Sequence, residues 1–103
     1  MDKIALVTGG SRGIGAATAL LAARRGYAVA VNHTANAKAA DDVVARIRAD
    51  GGQAIAVQAD VAQEEQVLAM FRTVDQELGR LTALVNNAGV VDVAARRPAS
   101  RSR

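Results

Sequence analysis

The residues with the clearest chemical use form one short run, Thr8-Gly9-Gly10-Ser11-Arg12-Gly13-Ile14-Gly15. It follows the apolar stretch Ile4-Ala5-Leu6-Val7 and precedes a segment rich in Ala and Leu. That order is strand, glycine turn, helix. Such a turn gathers backbone N–H groups and the positive end of a helix at one point, which is where a pyrophosphate binds. Gly9 permits the tight turn out of the strand. Gly13 lets the backbone approach a phosphate with no Cβ between them, and Gly15 lets the helix pack closely on the sheet. The spacing T-G-x-x-x-G-x-G departs from the G-x-G-x-x-G fingerprint. A plain strand–helix turn is the alternative; the flanking strand and helix favour the nucleotide.

A second run, Asn86-Asn87-Ala88-Gly89, follows a later strand-like segment. Its amides offer donors and acceptors, and its small residues leave room for a ligand. Between the two runs, Asp60-Val61 stands in a short loop ahead of a helical segment. A carboxylate there can cap the helix or hold a ligand.

These groups need a frame, and the apolar pattern supplies one. Short β-branched runs occur at Ile4–Val7, Val29–Val31, Ile55–Val57 and Leu84–Val85. Helical spacing joins Ile14, Ala17 and Leu21, then Ala40, Val43, Val44 and Ile47, then Val67, Met70, Phe71, Val74 and Leu78. Gly26, Gly51-Gly52 and Gly79 mark the helix ends. The expected order is β-α-β-α-β-α-β: an α/β, Rossmann-type parallel sheet with strand order 3-2-1-4, a truncated doubly wound fold. The first and fourth strands then lie side by side, and both glycine runs meet at their C-terminal ends. A right-handed crossover puts the third helix on the opposite face from the first two. The fourth strand is left as an open edge through which copies of the chain can associate.

Residues 1–89 carry nine basic and nine acidic side chains, so the net charge of +3 sits in the last fourteen residues. Arg96-Arg97-Pro98 to Arg103 has neither periodicity nor an apolar anchor. The domain organisation expected is a dinucleotide-binding part over 1–94 and a disordered Arg-rich tail over 95–103. Four arginines without aromatic residues or a second basic face speak against a nucleic-acid partner. No apolar run nears the ~20 residues of a membrane span, so no membrane partner is expected. The absence of cysteine fits a reducing cytoplasm.

Thr8–Gly15, Asp60-Val61 and Asn86–Gly89, in this order and spacing, resemble the N-terminal half of a short-chain dehydrogenase/reductase of the classical type. The flavour is similar to 3-oxoacyl-carrier-protein reductases and sugar dehydrogenases, over about residues 2–94. The resemblance implies an oxidoreductase that moves hydride between a nicotinamide cofactor and a carbonyl or alcohol. It implies that the glycine turn (Gly9, Ser11, Arg12, Gly13, Ile14, Gly15) holds the pyrophosphate. Asp60 and Val61 would meet the adenine and Asn87 the adenosine ribose, while Ala88 and Gly89 would line the pocket.

Cofactor choice is read from charge. An NAD site places Asp or Glu at the end of the second strand, about 20 residues beyond the glycine turn. Here that position is Asn32, followed by His33 and Thr34, with no acid, and these three are expected among the cofactor-binding residues. Arg12 lies in the turn, where a guanidinium can face a 2′-phosphate. NADP is therefore expected over NAD. His33 is read as an exposed loop histidine rather than a catalytic one.

The family's Tyr-x-x-x-Lys pair and its strand-end Ser have no counterpart. The one Tyr is Tyr27, the lysines are Lys3 and Lys38, and the serines are Ser11, Ser100 and Ser102. No catalytic residue is assigned, and no metal site. The expectation is a truncated oxidoreductase, inactive alone, with a frameshift or early stop as one explanation. A non-catalytic nucleotide-binding module is the alternative.

Overall fold

A computed structural model describes residues 3–9 and 13–86. The elements run β1 (Ile4–Thr8), α1 (Gly13–Arg24), β2 (Ala28–His33), α2 (Ala37–Ala49), β3 (Ala54–Gln58), α3 (Glu64–Glu77) and β4 (Ala83–Asn86). The four strands form one parallel sheet in the order β3-β2-β1-β4, as the alternating pattern implies. Register is fixed by pairs such as Val7↔Val31, Thr8↔Asn86 and His33↔Gln58.

Every residue of β1 and β2 is buried. They are the central strands, covered on both faces, which is why they read as unbroken apolar runs. Alternation along the strands sorts their side chains between two cores. On one face Ile4, Leu6, Ala28, Ala30 and Val57 pack against Val67, Met70 and Val74 of α3. On the other, Val7, Val29, Val31 and Ala54 pack against Ala19 of α1 and Ala40, Val43, Val44 and Ile47 of α2. The third helix thus opposes the first two. Met70 and Val74 are almost wholly buried, and burial of such a side chain stabilises by roughly 1.5–3 kcal/mol.

The α1 face differs from the sequence expectation. Ile14 is 78% exposed and Leu21 50%, and Ala17 is exposed as well. The buried residues are Gly15 and Ala19, with Ala16, Leu20, Ala22 and Ala23 packed against the core. Apolar residues surround this helix, so spacing alone selects no face. The small pair four residues apart brings the helix axis close to the sheet, and that contact decides the orientation.

Side chains fasten the element ends. Asn36 caps α2, its side chain accepting from the Ala39 amide at 3.1 Å. Arg48 Nε and Nη2 both donate to the Ala54 carbonyl, at 3.2 and 2.8 Å, tying the end of α2 to the start of β3. The Thr82 hydroxyl accepts from the Ile4 amide and donates to the Ile4 carbonyl, carrying the β1–β4 pairing one residue further back. β4 pairs with β1 alone among the described strands, and Leu84 is 46% exposed on the α3 side. The boundary at residue 94 and the tail over 95–103 lie outside the described residues.

Candidate dinucleotide site

The strand order reverses between β1 and β4, and the crevice at their C-terminal ends is where ligands enter a doubly wound sheet. β1 ends at Thr8 and leads to Gly9, whose φ is 62°; α1 starts at Gly13, whose φ is 58°. Both values lie in the left-handed region that side chains with a Cβ rarely enter. A Cβ built on Gly13 would meet nothing within 4 Å. The backbone conformation therefore requires glycine there, and no described residue outside its own turn fills the space beside it. Gly15 is buried under the helix, and Ile14 projects outward at the helix start. Ser11 and Arg12 lie outside the described residues.

β2 supplies Asn32 and His33. Asn32 is 1% exposed, and its amide is fully engaged with backbone groups. Oδ1 accepts from the Gly9 amide at 3.1 Å, and Nδ2 donates to the carbonyls of Val57 at 3.3 Å and Ala59 at 3.2 Å. A longer contact runs from Nδ2 to the His33 carbonyl at 3.4 Å. The side chain at the position where an NAD site presents its acid is therefore turned inward and committed to the scaffold. His33 corrects the reading of an exposed loop residue: it is the last residue of β2 and only 7% exposed. Pairing with Gln58 of β3 extends the sheet that far and draws the imidazole in. Its Nδ1 is a buried nitrogen without a hydrogen-bond partner among the described residues. Thr34 is exposed, and its carbonyl accepts from Gln58 Nε2 at 2.9 Å.

Asp60 and Val61 follow β3. The Asp60 side chain does not cap α3. The N-cap residue is Gln63, which makes no side-chain cap bond. Asp60 Oδ1 instead accepts from the Ala62 amide at 2.9 Å, closing a turn of its own. The Asp60 amide donates to Gln66 Oε1 at 2.8 Å, so the first turn of α3 reaches back to hold this loop. Val61 packs on the α3-side core. The loop is thus shaped by local bonds that leave Asp60 half-buried beside the sheet end.

At the other wall, Thr8 Oγ1 lies 2.9 Å from Asn86 Oδ1 and 3.3 Å from the Val85 carbonyl. Asn87, Ala88 and Gly89 lie outside the described residues. Sequence reasoning passed over Thr8, Gln58 and Gln66 as fasteners. The signal for Thr8 was present, a β-branched hydroxyl at the last position of a buried strand. Two cavities elsewhere, of about 380 and 290 Å³, sit where α1 and α2 end, lined in part by Ala23, Asp50 and Gly52. They are at the opposite end of the sheet from the crevice.

Strand order, a left-handed glycine turn opening α1 and a crevice at the reversal point define a Rossmann-type dinucleotide-binding fold. The short chain dehydrogenase family model matches residues 3–102, and the chain belongs to that family. It is 58% identical over 88 residues to the uncharacterised oxidoreductase YgfF of Escherichia coli (strain K12), covering 85% of this chain and 36% of the relative. It is 52% identical over 88 residues to a 3-oxoacyl-[acyl-carrier-protein] reductase of Synechocystis, with the same two coverages. Among solved structures, a dehydrogenase/reductase of Sinorhizobium meliloti superposes with a TM-score of 0.83 at 45% identity, covering 85% of this chain and 35% of that one. A short-chain dehydrogenase/reductase of Serratia marcescens gives 0.82 at 42%, covering 85% and 36%. The chain spans little more than a third of the length of these relatives.

Proposed function

We propose that this chain binds NADP as the dinucleotide-binding part of an oxidoreductase that transfers hydride between the nicotinamide and a carbonyl or alcohol. The observation that carries the reading is the glycine turn. Gly9 and Gly13 hold left-handed backbone at the sheet's reversal point, and among the described residues nothing lies within 4 Å of a Cβ placed on Gly13. In that role Gly9, Ser11, Gly13 and Ile14 face the pyrophosphate and Arg12 reaches the 2′-phosphate, with Gly15 letting α1 approach the sheet. Asp60 and Val61 border the adenine, Asn87 lies at the adenosine ribose, and Ala88 and Gly89 line the pocket. His33 and Thr34 border the ribose that carries the 2′ substituent. Preference for NADP rests on the lack of an acid at 32–34 and on Arg12 in the turn. The relative named a 3-oxoacyl-[acyl-carrier-protein] reductase makes a β-keto thioester one substrate worth assaying.

Bound cofactor would supply the hydride. A proton must also move, and these 103 residues contain no Tyr-x-x-x-Lys pair to move it. That observation favours a second reading for the chain taken alone, a nucleotide-binding module without turnover. Titration with NADPH and with NADH, read by nicotinamide fluorescence, tests the binding. Tighter binding of NADPH is expected, and failure to bind either removes the proposal. A hydride-transfer assay on the same material separates the two readings: turnover of any carbonyl substrate would exclude the non-catalytic one.

A further inference from the structure

We propose that Asn32 is a positioning residue that sets the phosphate end of the dinucleotide site against its adenosine end, and that this task requires a carboxamide. The inference rests on the proposed function for its ligand, but its geometry stands apart from it. Asn32 reaches three segments at once. Its Oδ1 holds the Gly9 amide in the turn after β1, at 3.1 Å. Its Nδ2 holds Val57 in β3 and Ala59 in the loop leading to Asp60, at 3.3 and 3.2 Å. The side chain is 1% exposed, so water cannot replace a lost partner, and each orphaned backbone group would bear its full desolvation cost.

The chemistry selects the residue type. One side of the site presents an N–H and the other presents carbonyls. A side chain there must accept on one side and donate on the other at that length. Asn does both, having one carbonyl oxygen and two N–H donors. An isosteric carboxylate keeps the bond from Gly9 but turns an oxygen toward two carbonyls. A hydroxyl is too short to span the gap. The acid that an NAD site carries at this position is therefore incompatible with the way this scaffold is tied.

The consequence for binding is a linkage between two half-sites. Gly9 belongs to the turn that faces the pyrophosphate, and Ala59 directly precedes the Asp60 loop at the adenosine end. A ligand that spans both gains from their fixed separation, because binding one half raises the effective concentration of the other. A ligand that fills only one half gains nothing from it. Loss of the tie should weaken the whole dinucleotide far more than either piece, which a general loss of stability would not do.

The experiment uses the full chain with Asn32→Asp and Asn32→Ser. Affinities are measured for NADP+, for 2′,5′-ADP as the adenosine piece and for inorganic pyrophosphate as the other. The expected result is at least a roughly tenfold loss for NADP+, with each piece held within about twofold. Equal losses for whole and pieces would overturn the proposal. Asn32→Asp should lose at least as much NADP+ affinity as Asn32→Ser, because its carboxylate turns an oxygen toward two carbonyls and cannot donate to them; Asn32→Asp binding NADP+ as tightly as the unsubstituted chain argues against the carboxamide requirement. Should the variants fail to fold, hydrogen exchange on the unsubstituted chain without nucleotide decides the geometry. Gly9 should exchange as slowly as the β1 strand amides, and exchange as fast as at Thr34 overturns the tie. If the unsubstituted chain binds neither NADP+ nor its pieces, the proposed function falls and the linkage with it, whereas the Gly9 exchange still reports whether the tie exists.

Discussion

Thr8 Oγ1 donates to Asn86 Oδ1 at 2.9 Å, joining the last residue of β1 to the last residue of β4. These are the two strands that wall the crevice. The hydroxyl is buried, so the bond works in a medium where an unmade partner is costly. Thr8→Val keeps the shape and removes the donor. A loss of about 1 kcal/mol in unfolding free energy is expected, together with faster hydrogen exchange in β4. An unchanged denaturation midpoint would show that the walls are held by the backbone ladder alone.

Gly13 separates two effects that are often confounded. Its φ of 58° strains any residue with a Cβ, yet among the described residues that Cβ would meet nothing within 4 Å. Gly13→Ala should therefore cost only about 1–2 kcal/mol, the penalty for left-handed backbone. Gly13→Val should abolish NADP binding by filling the space where phosphate must approach. Chemical denaturation reads the first effect and cofactor titration the second. Retained affinity in a folded Gly13→Val chain would move the phosphate elsewhere.

Arg12→Ala tests the cofactor preference. A guanidinium facing the 2′-phosphate contributes about 1.5–3 kcal/mol through a charge-assisted bond, so NADP affinity should fall by about tenfold or more. NAD lacks that phosphate and should bind as before. Equal losses for the two cofactors would assign Arg12 to the pyrophosphate instead.

His33 carries a buried Nδ1 without a partner among the described residues. An unsatisfied buried polar atom costs about 1–3 kcal/mol. His33→Leu removes that atom in a strand already packed by Val29 and Val31. A higher melting temperature for the nucleotide-free chain is expected, and a lower one would mean that the imidazole makes an unseen contact.

The strand order was legible because β1, β2 and β3 each read as short apolar runs, bounded by glycine and separated by helical spacing. The face of α1 was not. Ile14, Ala17 and Leu21 fit a helical stripe as well as Gly15 and Ala19 do, and only packing against the sheet chooses between them. The glycine turn was visible as composition, since left-handed backbone needs glycine. Asn32 was visible only as a missing acid. Its task depends on Val57 and Ala59, twenty-five and twenty-seven residues away, and no local pattern announces such a bond. His33 misled for the same reason: how far β2 extends depends on its pairing with β3, not on its own sequence.

The β1–β4 contact also has a history. Ile4 and Thr82 are 78 residues apart in sequence, whereas Ala30 and Ile55 pair across a much shorter loop. Loop-closure entropy grows as (3/2)RT ln n, which adds about 1 kcal/mol for the longer closure. Local β-α-β units should therefore assemble first, with β4 docking onto a sheet that already exists. Substitutions at Thr82 and Leu84 should then speed unfolding and leave the folding rate nearly unchanged. The proposed nucleotide entrance, lying between the two strands expected to meet last, would then arise only in the final step of folding, and a chain short of that step would have no place to hold a cofactor.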